Sequence, residues 1–295
     1  MITYNGKIIV IAGPTASGKS DIALQLAKDL NGYIINADSR QVYREMSIGT
    51  AKPIPHERIS DTVFTIDGIK HFLFDFVDPK DSFTLFDYQQ NVQKVLDTQK
   101  ESIPILVGGT GLYIDSIVFN YDLKREGIIK KDLEDKSLSE LQQLASKYIS
   151  SLNESDRQNR YRLIRVIERK GINSKKGTPL NHIYFVIDTP KDILSKRIEQ
   201  RIESMFKNGL ENEVLSLLNK GYTYEDRGMN SIGYIEFKEY FEKKISLDDV
   251  KKDIYKNTIA YVKRQKTWFK RNKQAIYTND YKDIYGKASN FIFSE

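Results

Sequence analysis

Short apolar runs recur along the chain, each closed by a polar or glycine-bearing corner and followed by residues with helical spacing. Lys7–Ala12, Tyr33–Ala37, Ile103–Val107 and His182–Asp188 read as strands by their length and continuous apolarity. Between the first two, Ile22, Ala23, Leu26, Ala27 and Leu30 share one face of a helix predicted over Asp21–Leu30. Leu85, Tyr88, Val92, Val95 and Leu96 repeat that pattern over Leu85–Leu96. Strands alternating with helices predict a parallel sheet covered by helices, with ligand sites outside the carboxyl ends of the strands.

From about Tyr121 to Asn181 the strand signals stop. Lys124–Lys136 is highly charged with no clear apolar face, and Ser137–Leu152 places Leu138, Leu141, Leu144, Ala145, Tyr148 and Leu152 on one side of an amphipathic helix. A further helix, Asp156–Arg169, carries Arg162, Arg165 and Arg169 on one face and Leu163, Val166 and Ile167 on another. The expected organisation is an α/β core from residues 1–120 and 183–295, ending in helices, with residues 121–182 inserted as a helical domain. Pro190 marks a helix start, and Gly209 and Gly221 mark breaks.

Composition narrows the classes. The chain has 295 residues, 29% charged and 40% hydrophobic, with mean hydropathy −0.50. It carries no bilayer-length apolar run and no N-terminal stretch long enough for a secretory signal, so the cytoplasm is the expected location. Cysteine is absent, which excludes disulfides, thiolate metal sites and thiol nucleophiles. The three histidines, His56, His71 and His182, make a multi-histidine metal site improbable. Net charge +6 with pI ≈ 9.0 fits an anionic partner without requiring one.

The strongest chemical signal is Gly13-Pro14-Thr15-Ala16-Ser17-Gly18-Lys19-Ser20, a phosphate-binding loop between the first strand and the first helix. Its backbone N–H groups and the helix N-terminus cradle anionic oxygens, Lys19 adds a point charge, and the Ser20 hydroxyl suits Mg²⁺. With this loop the fold class is a P-loop NTPase-like α/β sheet flanked by helices, with the helical insertion. Asp38 stands just past the second strand as a general base, an outer Mg²⁺ ligand or a plain helix cap, and Ser39 and Gln41 beside it suit the edges of a nucleobase. Gly108-Gly109-Thr110 forms a third corner, where small residues allow close approach and the Thr110 hydroxyl can bond a ligand. Arg197 and Arg201 share a helix face over Lys191–Lys207, where pairing with Glu199 and Glu203 at a solvated surface is the plainer expectation. Lys263–Arg271 mixes cations with Trp268 and suits a nucleic-acid backbone, although Trp268 and Phe269 also suit a core.

Taken together, these motifs resemble the bacterial tRNA dimethylallyltransferases. The likeness is carried by the phosphate loop, Asp38-Ser39-Arg40-Gln41-Val42-Tyr43, Met46 with Ile48–Pro53, and Leu106–Tyr113. It continues in Arg197–Arg201, Gly209–Val214, Ile232-Gly233-Tyr234 and Tyr261–Phe269. The chain departs from the usual pattern at Phe72, Arg40 and Tyr161 and in a shorter insertion. The resemblance implies transfer of the dimethylallyl group of dimethylallyl diphosphate to N6 of adenine 37 of tRNA. The target base would be flipped into a channel and met by the donor from the opposite end. It further implies Asp38 as general base and Lys19, Ser20, Thr110 and Arg201 as catalytic-site residues, with Gly13–Ser20 on the diphosphate and Mg²⁺ on Ser20. Contacts to tRNA would come from Asp38, Ser39, Arg40, Gln41, Thr110, Tyr161, Arg162, Leu163, Ile164 and Arg165. The expected partners are the tRNA anticodon stem-loop and dimethylallyl diphosphate, with no membrane and a monomeric enzyme. A P-loop kinase and an RNA-binding ATPase stand as alternatives.

Overall fold

The computed structural model describes residues 1–123, 131–152, 154–168, 170–171 and 175–294. Arg169 and most of the charged stretch from Lys124 to Lys136 therefore lie outside the described residues. The chain forms two compact units, one of Ile2–Phe119 with Pro179–Glu295 and one of Asn120–Thr178 with Met1.

The larger unit opens with β1 (Ile8–Ala12), α1 (Lys19–Asp29) and β2 (Gly32–Asn36). There follow β3 (Glu57–Ser60), β4 (Val63–Ile66), β5 (Ile69–Phe72), α2 (Leu85–Thr98), β6 (Ile103–Gly108) and α3 (Gly111–Val118). The smaller unit contains β7 (Tyr121–Asp122), α4 (Lys131–Glu134), α5 (Leu138–Ala145), a 3₁₀ segment Ser146–Ser151, α6 (Glu154–Arg157), α7 (Arg160–Glu168) and β8 (Lys175–Lys176). The larger unit resumes with β9 (His182–Ile187), α8 (Lys191–Lys207), α9 (Leu210–Asn219), α10 (Phe237–Phe241), α11 (Leu247–Phe269), β10 (Ile276–Thr278) and α12 (Tyr281–Phe293).

The sheet runs β10-β9-β1-β6-β2-β5-β4-β3, with β10 through β5 parallel and the β5-β4-β3 edge antiparallel. Both faces are covered. Ile8, Val10, Tyr33, Ile35 and Leu106 pack under Tyr88, Val92, Leu96, Ile114 and Ile117 of α2 and α3. Ile9, Ile11, Ile34, Ile105 and Phe185 pack under Ala23, Leu26 and Ala27 of α1 and Ile284 and Ala288 of α12. Full burial of such a side chain contributes about 1.5–3 kcal/mol, which is why continuous apolarity marked these strands. The antiparallel edge gave no such signal, because Glu57–Ser60 is exposed throughout. A third cluster joins Val42, Met46 and Val77 to α8, α9 and α11 through Leu194, Ile198, Val214 and Ile254.

In the smaller unit the two long predicted helices are both divided. Ser137 and Glu140 form a reciprocal capping box that starts α5, but the helix ends at Ala145 and tightens into the 3₁₀ segment, where Ser146, Ile149, Ser150 and Ser151 favour helix weakly. Leu144 is consequently exposed, not on the buried face. The second break falls at Asn159, whose Oδ1 accepts the Arg162 amide at 3.1 Å and so begins α7 afresh. Leu133, Leu141, Ala145, Leu163, Ile164 and Val166 form the core of this unit. The unit also holds the short antiparallel pair β7–β8, which its charged sequence did not announce.

Gly108 ends β6 against the backbone of Ala37, just past β2. A Cβ there would sit 2.1 Å from the Ala37 carbonyl oxygen. Gly108→Ala is expected to destabilise the fold by about 3 kcal/mol or more, since two backbone segments must separate. Gly286, inside α12 with open space around it, makes the contrast: Gly286→Ala should stabilise by roughly 0.5–1 kcal/mol. Urea unfolding of both variants checks the pair.

Candidate active site

Three corners at the carboxyl ends of neighbouring parallel strands converge on one crevice: Gly13–Gly18 after β1, Asp38–Arg40 after β2 and Gly109-Thr110 after β6. This is where the sheet topology splits to the two sides of β1. Gly18 takes a left-handed conformation, φ 87°, and turns the chain into α1, whose first amides have no intrahelical acceptor. Lys19 Nζ lies 3.4 Å from the Pro14 carbonyl oxygen, back over the loop.

Asp38 is held from below. Buried Asn36 accepts the Asp38 amide at 2.9 Å and donates to the Asp38 carbonyl at 3.1 Å and to the Leu73 carbonyl at 2.9 Å. Asp38 Oδ1 accepts the Arg40 amide at 2.9 Å, and its second oxygen has no hydrogen-bond partner among the described residues. The Thr110 hydroxyl accepts the Ser39 amide at 3.0 Å and donates to the Ser39 hydroxyl at 3.2 Å, joining the second and third corners. Gln41 donates to the Thr50 and Ala51 carbonyls, each at 3.1 Å, so its amide nitrogen braces a loop. Arg40 is exposed and reaches the Arg227 carbonyl.

The α8 arginines do not form the Glu-paired face expected from spacing, although Arg197 stays exposed as that reading has it. Arg201 donates to Thr15 Oγ1 at 2.8 Å, and Arg197 donates to the Ser17 carbonyl at 3.2 Å. Glu203 instead pairs with Lys251. The reason is tertiary: apolar Leu194, Ile198 and Ile202 seat α8 beside the loop, and residues on the flank of that stripe fall on the phosphate side.

Withdrawal from water pulls Lys19 down to about 8; the Asp38 carboxylate opposes the fall and the Arg201 guanidinium adds to it. Arg201 is lowered by the same withdrawal, again opposed by Asp38. Burial foremost, with the Asp38 charge adding, pushes the Tyr261 phenol up to about 12, leaving it a proton donor at neutral pH.

Two cavities flank these groups. One, about 740 Å³, is lined by Gly18, Lys19, Ser20, Gln41, His71 and Arg197; the other, about 310 Å³, by Met205, Ile232, Glu236, Asn257 and Tyr261. Thr15, Asp38, Thr50 and Arg201 line both. The resemblance implied a channel entered from two ends, but no residue pattern in the sequence marked the lining of the second cavity. Its lining comes from α8, α11 and the turn before α10, together with the Asp38–Arg40 and Gly49-Thr50 corners.

The Tyr161–Arg165 segment, in the smaller unit, is more divided than its sequence suggested. Leu163 and Ile164 are core residues, and Arg165 pairs with Glu168 at 2.9 Å and lies over the Tyr161 ring. Tyr161 and Arg162 are exposed. Trp268 donates from Nε1 to Asp115 at 2.9 Å, and Phe269 is buried, so both act as anchors of α11.

Fold and site together define a P-loop α/β protein whose anion cradle opens onto a carboxylate and a second cavity. A family profile described as IPP transferase matches residues 41–272, and one described as isopentenyl transferase matches residues 6–70. The chain is 34% identical over 293 residues to the tRNA dimethylallyltransferase of Staphylococcus haemolyticus, covering 91% of this chain and 85% of that protein. Identity to the Staphylococcus aureus tRNA dimethylallyltransferase is also 34%, over 92% of each chain. The crystal structure of the full-length tRNA isopentenylpyrophosphate transferase of Bacillus halodurans superposes with a TM-score of 0.74 at 28% identity, covering 98% of this chain and 97% of that one. The chain belongs to the IPP transferase family and is a prenyltransferase.

The lowered Lys19 gives the cradle a pH signature. A lysine that titrates near 8 is charged below that pH and neutral above it. Affinity for inorganic diphosphate should therefore fall as pH rises past about 8, and Lys19→Met should bind roughly tenfold or more weakly below it. Calorimetric titration of both proteins across that pH is the check: the wild-type advantage should shrink above it, and a constant ratio would contradict the assignment.

Proposed function

We propose that this protein transfers the dimethylallyl group of dimethylallyl diphosphate to N6 of adenine 37 of tRNA, next to the anticodon, and releases diphosphate. The observation that carries this reading is the pair of cavities that share Asp38, Thr15, Thr50 and Arg201. A donor whose leaving group rests on the phosphate loop can there meet an acceptor amine at a single carboxylate. The names borne by the Staphylococcus and Bacillus relatives support the tRNA acceptor.

The bond that forms joins N6 to the allylic carbon, and the bond that breaks is the allylic C–O bond. Negative charge then grows on the departing diphosphate, where Lys19, Arg201 and the N-terminus of α1 are already in place, so little reorganisation is required. The amine loses one proton. Asp38 is the group placed to take it, through the oxygen not engaged by the Arg40 amide. Thr110, tied to Ser39, fixes the acceptor side of the crevice. The Gly13–Ser20 loop holds the diphosphate through its amides nearer α1. Ser20, at the first turn of α1, suits one hard-oxygen ligand of Mg²⁺. No group of three His, Cys, Asp or Glu side chains able to hold a metal occurs among the described residues, so phosphate oxygens and water would complete the shell. Bound there, the ion supplies charge neutralisation for the leaving group.

We further propose that tRNA is met by Asp38, Ser39, Arg40, Gln41 and Thr110 in the larger unit and by the Tyr161–Arg165 segment in the smaller one. With Leu163 and Ile164 buried, the exposed side chains that would meet a phosphate backbone in that segment are those of Tyr161 and Arg162, the latter beside Asp156 at 3.6 Å. Among the described residues no helix is long and apolar enough to cross a membrane. A monomer working in the cytoplasm is the setting this reading expects.

The defining experiment follows labelled dimethylallyl diphosphate incubated with an anticodon stem-loop carrying A36-A37-A38, with and without Mg²⁺. Label should reach the RNA only when position 37 is adenine; transfer to a G37 loop, or none to the A37 loop, would overturn the reading. Asp38→Asn should lower single-turnover transfer by about a hundredfold or more while tRNA affinity stays within about twofold. Arg162→Ala should weaken tRNA binding and reduce the salt slope by about one. An unchanged slope would remove Arg162 from the footprint.

A further inference from the structure

The stretch Lys263–Arg271 reads in sequence as a basic patch, but its inward side does different work. Along α11, Val262, Gln265 and Phe269 are buried, and Gln265 is the one polar member of that stripe, 4% exposed. Its Oε1 accepts the Thr15 amide at 3.0 Å, and its Nε2 donates to the Gly109 carbonyl at 2.9 Å. The partners fix the orientation of the amide, since an N–H requires the oxygen and a carbonyl requires the nitrogen. One side chain thereby ties the phosphate loop to the glycine corner beyond β6. Gly109 makes room for it: a Cβ there would lie 2.2 Å from Gln265 Nε2.

Neighbouring contacts extend the tie. Lys266 donates to the Thr189 carbonyl at 3.1 Å, and the Thr189 hydroxyl donates to the Ser17 carbonyl at 3.2 Å. Thr15 is held on its backbone by Gln265 and on its hydroxyl by Arg201. Its amide is thus committed to a side chain, and the cradle for an anion is left to the amides nearer α1.

We propose that Gln265 is a positioning residue for the transfer reaction, setting the spacing of Thr15 and Gly109 and with it the shape of the loop that grips the diphosphate. This rests on the reading that the loop holds the donor's diphosphate. Gln265 touches no reacting atom; it acts through Thr15 and Gly109. Because the amide is neutral and uses both its donor and its acceptor, neither an apolar nor an ionised replacement reproduces it.

The test uses the full chain, inorganic diphosphate in calorimetric titration, and steady-state kinetics with both substrates. Gln265→Met should weaken diphosphate binding roughly tenfold and raise KM for dimethylallyl diphosphate alike, with KM for tRNA within about twofold. Gln265→Glu adds a readout that mere loosening would not move. Its ionised carboxylate can accept the Thr15 amide but repels the Gly109 carbonyl, whereas the protonated acid satisfies both. Its deficit relative to wild type should therefore shrink as pH falls, while that of Gln265→Met stays constant. Wild-type diphosphate affinity in Gln265→Met at neutral pH would overturn the proposal. So would equal, pH-independent losses in both, or a KM for tRNA that rises as much as that for the donor. A wild-type protein that binds no diphosphate would overturn the loop reading itself, and this inference with it.

Discussion

Two cations drawn out of water toward one carboxylate form the constraint around which this protein is built. Lys19 and Arg201 are both destabilised in their charged forms by withdrawal from solvent, and each is supported by Asp38. One negative charge facing two positive ones leaves an excess that an anion can complete. Such an arrangement costs folding free energy in the empty protein. It persists because strong scaffolding surrounds it: buried strands below, Asn36 under Asp38, and α8 and α11 packed against the corners.

That scaffolding explains where small residues are placed. Gly108 lets β6 close on Ala37, Gly109 lets Gln265 reach its carbonyl, and Gly111 faces Trp268 Cδ1, which a Cβ would meet at 2.1 Å. In each case the glycine removes a clash between elements far apart in sequence, so the corner is shaped as much by α11 as by its own turn. The same principle fixes the far wall. Glu213 of α9 accepts the Ser47, Ile48 and Gly49 amides and the Tyr234 phenol, which holds the turn leading to Thr50, a residue common to both cavities.

The smaller unit follows a separate logic. Its core is modest, made of Leu141, Ala145, Leu163 and Val166 with a few neighbours, and its short helices α5 and α7 each begin at a capping side chain. Charged side chains there serve structure and surface unequally. Arg165 is drawn into an ion pair with Glu168 and onto the Tyr161 ring, while Arg162 keeps an exposed guanidinium. A run of arginines at helical spacing is therefore not a uniform surface.

The sequence by itself determined the four central parallel strands β1, β2, β6 and β9, the helices expected over Asp21–Leu30 and Leu85–Leu96, the phosphate loop and the place of Asp38. Those features rest on local rules: continuous apolarity for a strand covered on both sides, a repeat near 3.6 for a packed helix, and a fixed loop motif at a strand–helix junction. It also determined the family, because the motifs recur in order along nearly the whole chain. Only the tertiary structure decided that Arg201 grips Thr15 and does not pair with Glu199 or Glu203 at a solvated surface, that Gln265 joins two corners, that the exposed β3 edge exists, and that a second cavity meets the first at Asp38. Each of these depends on side chains brought together across many residues. Helical spacing tells which residues share a face, but not what that face will meet.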